Sequence, residues 1–453
     1  MAFGLLAAIR NRHFHSLLGN VVMAFFNVLS FSLLVRLLPL SAFGEWVLFI
    51  GTYNILDQVR TALLQTGLIK FYTGVEAHTG RQVTGAAWYI SLVLTLSYVL
   101  LSFLVYLAAY PWLNDTWHFF IRWLGVLTLF SLPMNFATWV LQAEHRFEKI
   151  VLVRLVQNGS FLLLLGGLYL LAQVTLHNVL YAYCTAMALS SIYCLLRKWT
   201  RVRTLFFRTR AQALELFRFG RHIVGSMVSS SLLNYSDTLI IRTLLSPAAV
   251  ALYSIPQKFM EVIEIILRSF VATAQPTLSG AANRHDYTAV ARAFSKYTGT
   301  VTLLILPFII GLLLFTQPLI IILADRDYLG ATDIVRIILL SAIFWPIDRF
   351  IGVTLDMINL PNINFYKNFL KLVLNVACDI LFIWIYTDIR SIAVASLLNV
   401  LFAVAFGYYF VKRRLDVRLR DVWELGWQEC RRLLGKLSGK QALVDQPQQN
   451  TLP

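Results

Sequence analysis

Three pairs of opposite charges lie inside long apolar segments of the sequence, where charged side chains are rare. The members of each pair are three or four residues apart: Asp57 with Arg60, Lys258 with Glu261, and Glu264 with Arg268. On a helix, this spacing puts both members of a pair on one face. A charge near the middle of a bilayer costs about 2.5–3.5 kcal/mol, so these side chains are expected to face protein or water. They either neutralise each other in place or bind ions and anionic groups.

Basic side chains in apolar segments are suited to an anionic lipid headgroup, since an arginine can present two parallel donors to a phosphate. Asn234 belongs to a polar stripe that either lines a cavity or packs against another helix. The candidates for binding such a headgroup in a substrate cavity are Arg60, Lys258, Arg268 and Asn234. The candidates for coupling to a proton or sodium gradient are the acids Asp57, Asp237 and Glu264.

The sequence shows no pattern of residues typical of an enzyme or a metal centre. Asp325-Arg326-Asp327 is similar to the paired acids that hold a metal in membrane glycosyltransferases, but the short turn around it favours a surface loop. The eight histidines form no cluster, and the four cysteines have neither metal-site nor disulfide spacing. We therefore predict that the protein is not an enzyme and uses no metal or cofactor.

The elements that carry these residues are predicted to be membrane helices. Of 453 residues, 58% are hydrophobic and 14% are charged, whereas soluble proteins carry about 25% charged residues. A spanning helix needs about 20 mainly apolar residues. The predicted spans are 17–38, 43–66, 85–109, 119–142, 152–172, 178–196, 219–244, 248–272, 297–316, 333–356, 367–386 and 391–411. The fold class expected is an all-α polytopic membrane protein with about 12 transmembrane helices.

The positions of the basic residues predict the topology. The formal net charge is +16, which would suit nucleic acid if the basic residues formed one surface. With a cytoplasmic N-terminus, however, 29 of the 39 lysines and arginines fall in cytoplasmic segments or at their membrane edges. This distribution obeys the positive-inside rule and favours contact with anionic lipids. Both termini are expected in the cytoplasm, and nucleic acid is not an expected partner.

A weak internal repeat divides the chain into halves. RLLPLSAFGEW at 36–46 recurs loosely as RTLLSPAAVALY at 242–253, and the same offset pairs Asp57 with Glu264. Six spans per half predict parallel repeats with a substrate site between them. The expected domains are an N-terminal six-helix lobe (1–196), a basic cytoplasmic linker (197–218), a C-terminal six-helix lobe (219–411), and a cytoplasmic amphipathic helix with a disordered tail (412–453).

Two stretches of the sequence are similar to those of a known transporter family. They are LLVRLLPLSAFGEWVLF at 33–49 and SDTLIIRTLLSPAAVALYSIPQKF at 236–259, the second with Asp237 and Tyr253 at matching positions. They resemble the polysaccharide transporter family, the Wzx-type lipid-linked oligosaccharide flippases of the multidrug/oligosaccharidyl-lipid/polysaccharide exporter superfamily. The resemblance implies a fold like that of multidrug-and-toxin extrusion (MATE) transporters.

The resemblance also implies an activity. A member of this family would move undecaprenyl-diphosphate-linked oligosaccharide repeat units from the cytoplasmic to the periplasmic leaflet by alternating access. The expected location is the bacterial inner membrane, and the products would be O-antigen, capsule or exopolysaccharide. Expected partners are the lipid-linked oligosaccharide, anionic membrane lipids, a polysaccharide polymerase and a chain-length regulator.

Two other functions are open at this stage. An ion-coupled drug antiporter of the MATE type would share the fold and the intramembrane acids. A non-transporting scaffold of a polysaccharide assembly complex would use the charge pairs for structure alone.

Overall fold

The computed structural model describes residues 12–72, 75–112 and 115–437, and within these ranges the secondary structure is helical, without strands. Contacts within the chain divide it into two compact units, which meet between Ala251 and Leu252. The helices of unit 1 are α1 (Arg12–Leu37), α2 (Leu40–Tyr72), α3 (Ala77–Ala109), α4 (Asp115–Ala143), α5 (Phe147–Leu170), α6 (Leu176–Leu196) and α7 (Arg210–Leu244).

The remaining helices lie wholly or mostly in unit 2, since only the first turn of α8 precedes the boundary. They are α8 (Pro247–Asn283), α9 (Tyr287–Leu314), α10 (Thr316–Leu323), α11 (Thr332–Ala342), α12 (Trp345–Met357), α13 (Pro361–Tyr386), α14 (Arg390–Arg414) and α15 (Leu419–Leu437). The chain is thus an all-α, multi-pass membrane protein, as the composition predicts.

The described helices follow the predicted spans in order. Seven of them, α3, α4, α5, α6, α9, α13 and α14, are long and apolar enough to cross a bilayer by length and composition. The helices α2, α7 and α8 have 33, 35 and 37 residues, so they are long enough as well, but they carry more polar and charged residues. The predicted span 333–356 is divided, because the chain turns at Ile343–Phe344 between α11 and α12.

One predicted boundary falls inside a helix. Residues 197–218 were expected to form a linker, but α7 begins at Arg210, where the Thr209 hydroxyl caps its first turn. A 3-10 helix over Val202–Phe207 precedes it. The run of basic residues hides the helix signal, since arginine is a good helix former. In the structure α7 packs along α2 of unit 1, and the division of the chain into lobes at 196 and 219 stays a prediction.

Aromatic and aliphatic side chains of α2, α3 and α4 form the core of unit 1. Trp88 of α3 and Phe136 of α4 stack with ring centroids 4.2 Å apart, and Leu64 and Leu68 of α2 are fully buried beside them. Burial of such side chains contributes about 1.5–3 kcal/mol each. This packing fixes α2, and with it Asp57 and Arg60, against α3 and α4.

Residues Leu419–Leu437 of the amphipathic segment form α15, and its apolar side packs on α9. A Cβ on Gly299 of α9 would lie 1.8 Å from the Val422 carbonyl oxygen of α15, and Gly426 faces Gly299 in return. Lys296 and Glu429 form an ion pair across the contact (3.0 Å). Only glycine therefore allows the two backbones to approach this closely. The tail predicted from Gln441 onwards lies outside the described residues.

Candidate functional site

A buried arginine joins three helices of unit 1. Arg60 on α2 has no exposed surface. Its Nη1 donates hydrogen bonds to Thr95 Oγ1 on α3 (2.9 Å) and to the Thr128 carbonyl on α4 (3.1 Å). Its Nη2 donates to Ser131 Oγ on α4 (3.0 Å) and to the carboxylate of Asp57, one turn earlier on α2. All four Nη hydrogens are used in this way, so the guanidinium holds helices together in this conformation.

Asp57 forms the accessible edge of that network. Both of its carboxylate oxygens lie 3.1 Å from Nδ2 of Asn135 on α4, which donates to them. Part of the Asp57 side chain is exposed, whereas Arg60 is enclosed. Asp57 is therefore a partly accessible acid within an apolar helix, and such acids are candidates for reversible proton or sodium binding.

The two family-like stretches meet within unit 1. Glu45 of α2 accepts a hydrogen bond from Arg242 of α7 at 2.5 Å. One residue earlier, a Cβ on Gly44 would lie 1.7 Å from the Pro247 carbonyl oxygen. Tyr235 of α7 also donates to the Leu48 carbonyl at 2.5 Å. These parts of the two stretches therefore form a close helix contact.

A polar face of α8 is open in the structure. Lys258 donates to Glu261 at 2.8 Å, and Arg268 Nε donates to Glu264 at 3.1 Å. The predicted pairs thus form on one helix face. Arg268 has 69% of its side-chain surface exposed. Because charged side chains avoid lipid, this face is suited to line a water-filled space.

Helix α12 connects α8 to two lysines of α13. Arg349 of α12 lies 3.8 Å from Glu264 on α8. The adjacent Asp348 accepts hydrogen bonds from Lys367 Nζ at 2.6 Å and from Lys371 Nζ at 2.9 Å. Lys367 is almost fully buried, and it also donates to the Asp348 carbonyl at 3.2 Å. One carboxylate therefore holds two ammonium groups.

Ion pairs join eight charged residues of α8, α12 and α13, and more of these eight are basic than acidic. We call them the cationic cluster, which consists of Lys258, Glu261, Glu264, Arg268, Asp348, Arg349, Lys367 and Lys371. Five of the eight are basic and three are acidic. Asp356 of α12 and Asp379 of α13 are further acids, so the three helices as a whole carry five basic and five acidic residues. The accessible bases of the cluster can attract a phosphate, since opposite charges interact strongly where the dielectric constant is low.

The repeat-related arginines have different surroundings. Arg60 is enclosed by side chains of three helices, whereas Arg268 projects from an exposed face and contacts only Glu264 among the ion pairs described. The repeat predicts a matched pair of phosphate-binding arginines. The structure gives an accessible position to Arg268 and a packed one to Arg60.

The other predicted site residues lie on α7. Asp237 is half-buried, and the Ser236 hydroxyl lies 3.4 Å from its carboxylate. Asn234 lies within the same helix, but its side chain is outside the described residues. No three His, Cys, Asp or Glu side chains are grouped as metal ligands in the described part of the chain.

Lys367 and Lys371 are the site residues that the sequence reasoning missed. They stand at the predicted membrane edge of a span, where lysine is common, and were counted with the cytoplasmic charges. Their spacing of four residues puts both on one face of α13. The signal in the sequence is therefore this spacing together with Asp348 in the preceding span.

Solved structures with the same fold include two transporter types. A lipid II flippase, MurJ, in an inward closed conformation, matches with a TM-score of 0.71 and 12% identity, covering 94% of this chain and 92% of that one. An inward-facing MATE family multidrug resistance transporter of the MOP superfamily matches with a TM-score of 0.70 and 12% identity, covering 86% and 95%. At these identities the matches establish the fold alone.

Sequence comparison adds a curated relative and a family. A probable low-salt glycan biosynthesis flippase, Agl15 of Haloferax volcanii, is 20% identical over 332 residues, or 72% of this chain and 68% of the relative. Residues 33–333 match the family described as polysaccharide biosynthesis protein, so the match spans more than half of the chain and includes both family-like stretches. The chain belongs to the polysaccharide biosynthesis protein family.

Proposed function

We propose that this protein is a flippase for undecaprenyl-diphosphate-linked oligosaccharide repeat units. It moves them from the cytoplasmic to the periplasmic leaflet of the bacterial inner membrane, for the synthesis of O-antigen, capsule or exopolysaccharide. Family membership, the glycan flippase relative and the fold shared with a lipid II flippase support this proposal. A polysaccharide polymerase and a chain-length regulator are the partners expected to use the product.

The observation that carries the proposal is the cationic cluster on an exposed helix face. A lipid diphosphate is anionic and compact, and it needs several donors at once. Arg268, Arg349 and Lys371 are accessible enough to supply them, and Lys258 lies on the same face of α8 as Arg268.

The carboxylates of the cluster hold the cations in place when no substrate is bound. Glu264 contacts both Arg268 and Arg349, so protonation of Glu264 would free two donors for the diphosphate. Asp57 and Asp237 are the further candidates for ion coupling. In this mechanism, protonation of Glu264 favours headgroup binding, and deprotonation restores the ion pairs and favours release of the headgroup.

Asn234 on α7 stays a proposed contact for the sugars, which require neutral donors and acceptors. Arg60 is left out of the headgroup contacts, because its Nη donors are used by α3 and α4. Alternating access then moves the polar headgroup through the water-filled space while the polyprenyl tail stays in lipid.

The experiment uses cells that lack the protein. Sealed inverted membrane vesicles report which leaflet holds the labelled undecaprenyl-diphosphate oligosaccharide. We expect it to accumulate on the cytoplasmic leaflet and to redistribute when the wild-type protein is restored. Normal distribution in the absence of the protein would refute the flippase proposal.

A paired variant tests the site itself. Arg268→Gln/Lys371→Gln should insert normally and fail to restore flipping. The matched control is Arg390→Gln, which removes an exposed, ion-paired arginine at the start of α14, outside the cluster. Full activity of the paired variant would remove the cationic cluster from the mechanism.

A further inference from the structure

Helix α15 lies at the level where two other helices change from polar to apolar. In α9, Arg292 and Lys296 precede the contact at Gly299, and residues 301–314 that follow it carry no charge. In α14, residues 391–411 are uncharged and Lys412-Arg413-Arg414 follow. Such transitions mark the boundary between the hydrocarbon and the headgroups. The contact of α15 with α9 and its short connection to α14 therefore place it at a membrane surface.

Helix α15 is closely packed against α9 and is tied to α14. Backbone approaches backbone at Gly299 and Gly426, Cys430 Sγ lies 3.8 Å from the Thr300 carbonyl, and the Tyr408 hydroxyl of α14 donates to the Val417 carbonyl at 3.1 Å. These contacts fix which face of α15 points away from the protein.

That outer face carries a stripe of aromatic and basic side chains. Its members are spaced by three and four residues: Arg420, Trp423, Trp427 and Arg431. Both tryptophans are about half exposed. The Arg431 guanidinium lies 5.2 Å from the Trp427 ring centroid, and Arg420 donates to Glu424 at 2.5 Å. Tryptophan is enriched at membrane interfaces, where its ring lies among the headgroups.

The charge around the stripe is positive. Residues 412–432 contain seven basic and four acidic side chains. Arg413 and Arg414, which line a surface cavity of about 390 Å³ with Ile363 and Phe410, form none of the ion pairs among the described residues. Anionic headgroups complement such a surface, since each basic residue near it adds about a five-fold preference.

We propose that the stripe Arg420–Trp423–Trp427–Arg431 binds anionic phospholipid headgroups and so anchors α15, and through it α9, to one leaflet. This inference is independent of the transported substrate, because the stripe is separate from the cationic cluster. It assigns to α15 a lipid-binding role that a transport assay alone would not reveal.

The test is hydrogen–deuterium exchange of the full-length protein in nanodiscs. We compare discs of phosphatidylcholine with discs that contain phosphatidylglycerol, and follow peptides from α15. In the wild type, the anionic lipid should slow exchange in α15. The Arg420→Gln/Arg431→Gln variant should lose this slowing. If both arginines contribute fully, the preference of α15 for the anionic discs should fall about 25-fold. Arg432→Gln, which removes an equal charge from another face of α15, should retain it.

Three outcomes would overturn the proposal. The first is that phosphatidylglycerol does not slow exchange in the wild type, which would indicate that the stripe binds a protein partner instead. The second is equal slowing in Arg420→Gln/Arg431→Gln. The third is the same slowing from inorganic phosphate in phosphatidylcholine discs, which would show binding of an ion instead of a lipid. Unchanged exchange in α2 and α3 shows that each variant is folded.

Discussion

Replacing Arg60 with methionine tests whether this arginine holds unit 1 together. The substitution keeps an apolar stem of similar length but removes hydrogen bonds to Thr95, Thr128 and Ser131. The Asp57 carboxylate then retains the hydrogen bonds from Asn135. Removing one member of a buried charge pair costs about 3–5 kcal/mol, because the other charge remains uncompensated. We expect the free energy of unfolding to fall by about that amount.

The repeat-related Arg268 provides the control. Arg268→Met also leaves an acid behind, but this pair is exposed, and exposed pairs contribute about 0–1 kcal/mol. Replacing both members of the buried pair, as in Asp57→Asn/Arg60→Met, should recover much of the loss, since no bare charge is left. Unfolding is followed by circular dichroism during titration with denaturing detergent. Equal losses in Arg60→Met and Arg268→Met, or a larger loss in the double variant, would refute the reasoning.

Three further predictions concern α8 and α9. Gly299→Ala should weaken the docking of α15 by about 1–3 kcal/mol through overpacking. Gly311→Ala on the same helix should not, because no atom lies within 4 Å of the new Cβ. The midpoints of thermal unfolding of the two variants are compared. Glu264→Gln should bind the lipid diphosphate more tightly and release it more slowly. If flipping by this variant still depends on the proton gradient, Glu264 is excluded as the coupling site. The Thr288 hydroxyl, which donates to Asp286, lowers the pKa of that carboxyl. The ionised Asp286 should therefore stabilise the start of α9 above about pH 4, and this stabilisation should be lost as the pH falls further. Amide exchange at the start of α9 that does not change with pH would contradict this.

The helical class and the order of the spans are predictable from the sequence, because bilayer thickness sets the length of an apolar helix. The charge pairs Lys258–Glu261 and Glu264–Arg268 are predictable for the same kind of reason, since helix geometry alone brings them together. The group around Asp348 is not, because it depends on how α12 meets α13. The exposure of an individual arginine is not predictable either, since it depends on the neighbours that tertiary packing supplies.

The start of α7 shows a different limit. Positive-inside reasoning assigns a run of basic residues to a loop, yet the same residues form helix readily once a threonine caps the first turn. The basic residues indicate on which side of the membrane a segment lies, but they do not determine whether its backbone is helical. The roles of Gly44 and Gly299 cannot be read from one sequence either. Each glycine permits a close approach to another backbone, and that backbone is identified only by the structure.

The sharing of Asp348 between Lys367 and Lys371 restricts how this protein can change over evolutionary time. Loss of the acid alone would strand two ammonium groups, one of them almost fully buried, and loss of Lys367 alone would leave the acid to its second partner. Single substitutions should therefore arise first at Lys371, the more accessible lysine, and changes at Asp348 should appear together with changes at both lysines. The three positions should consequently vary together among relatives. Sequences that have lost only Lys371 should be the intermediates.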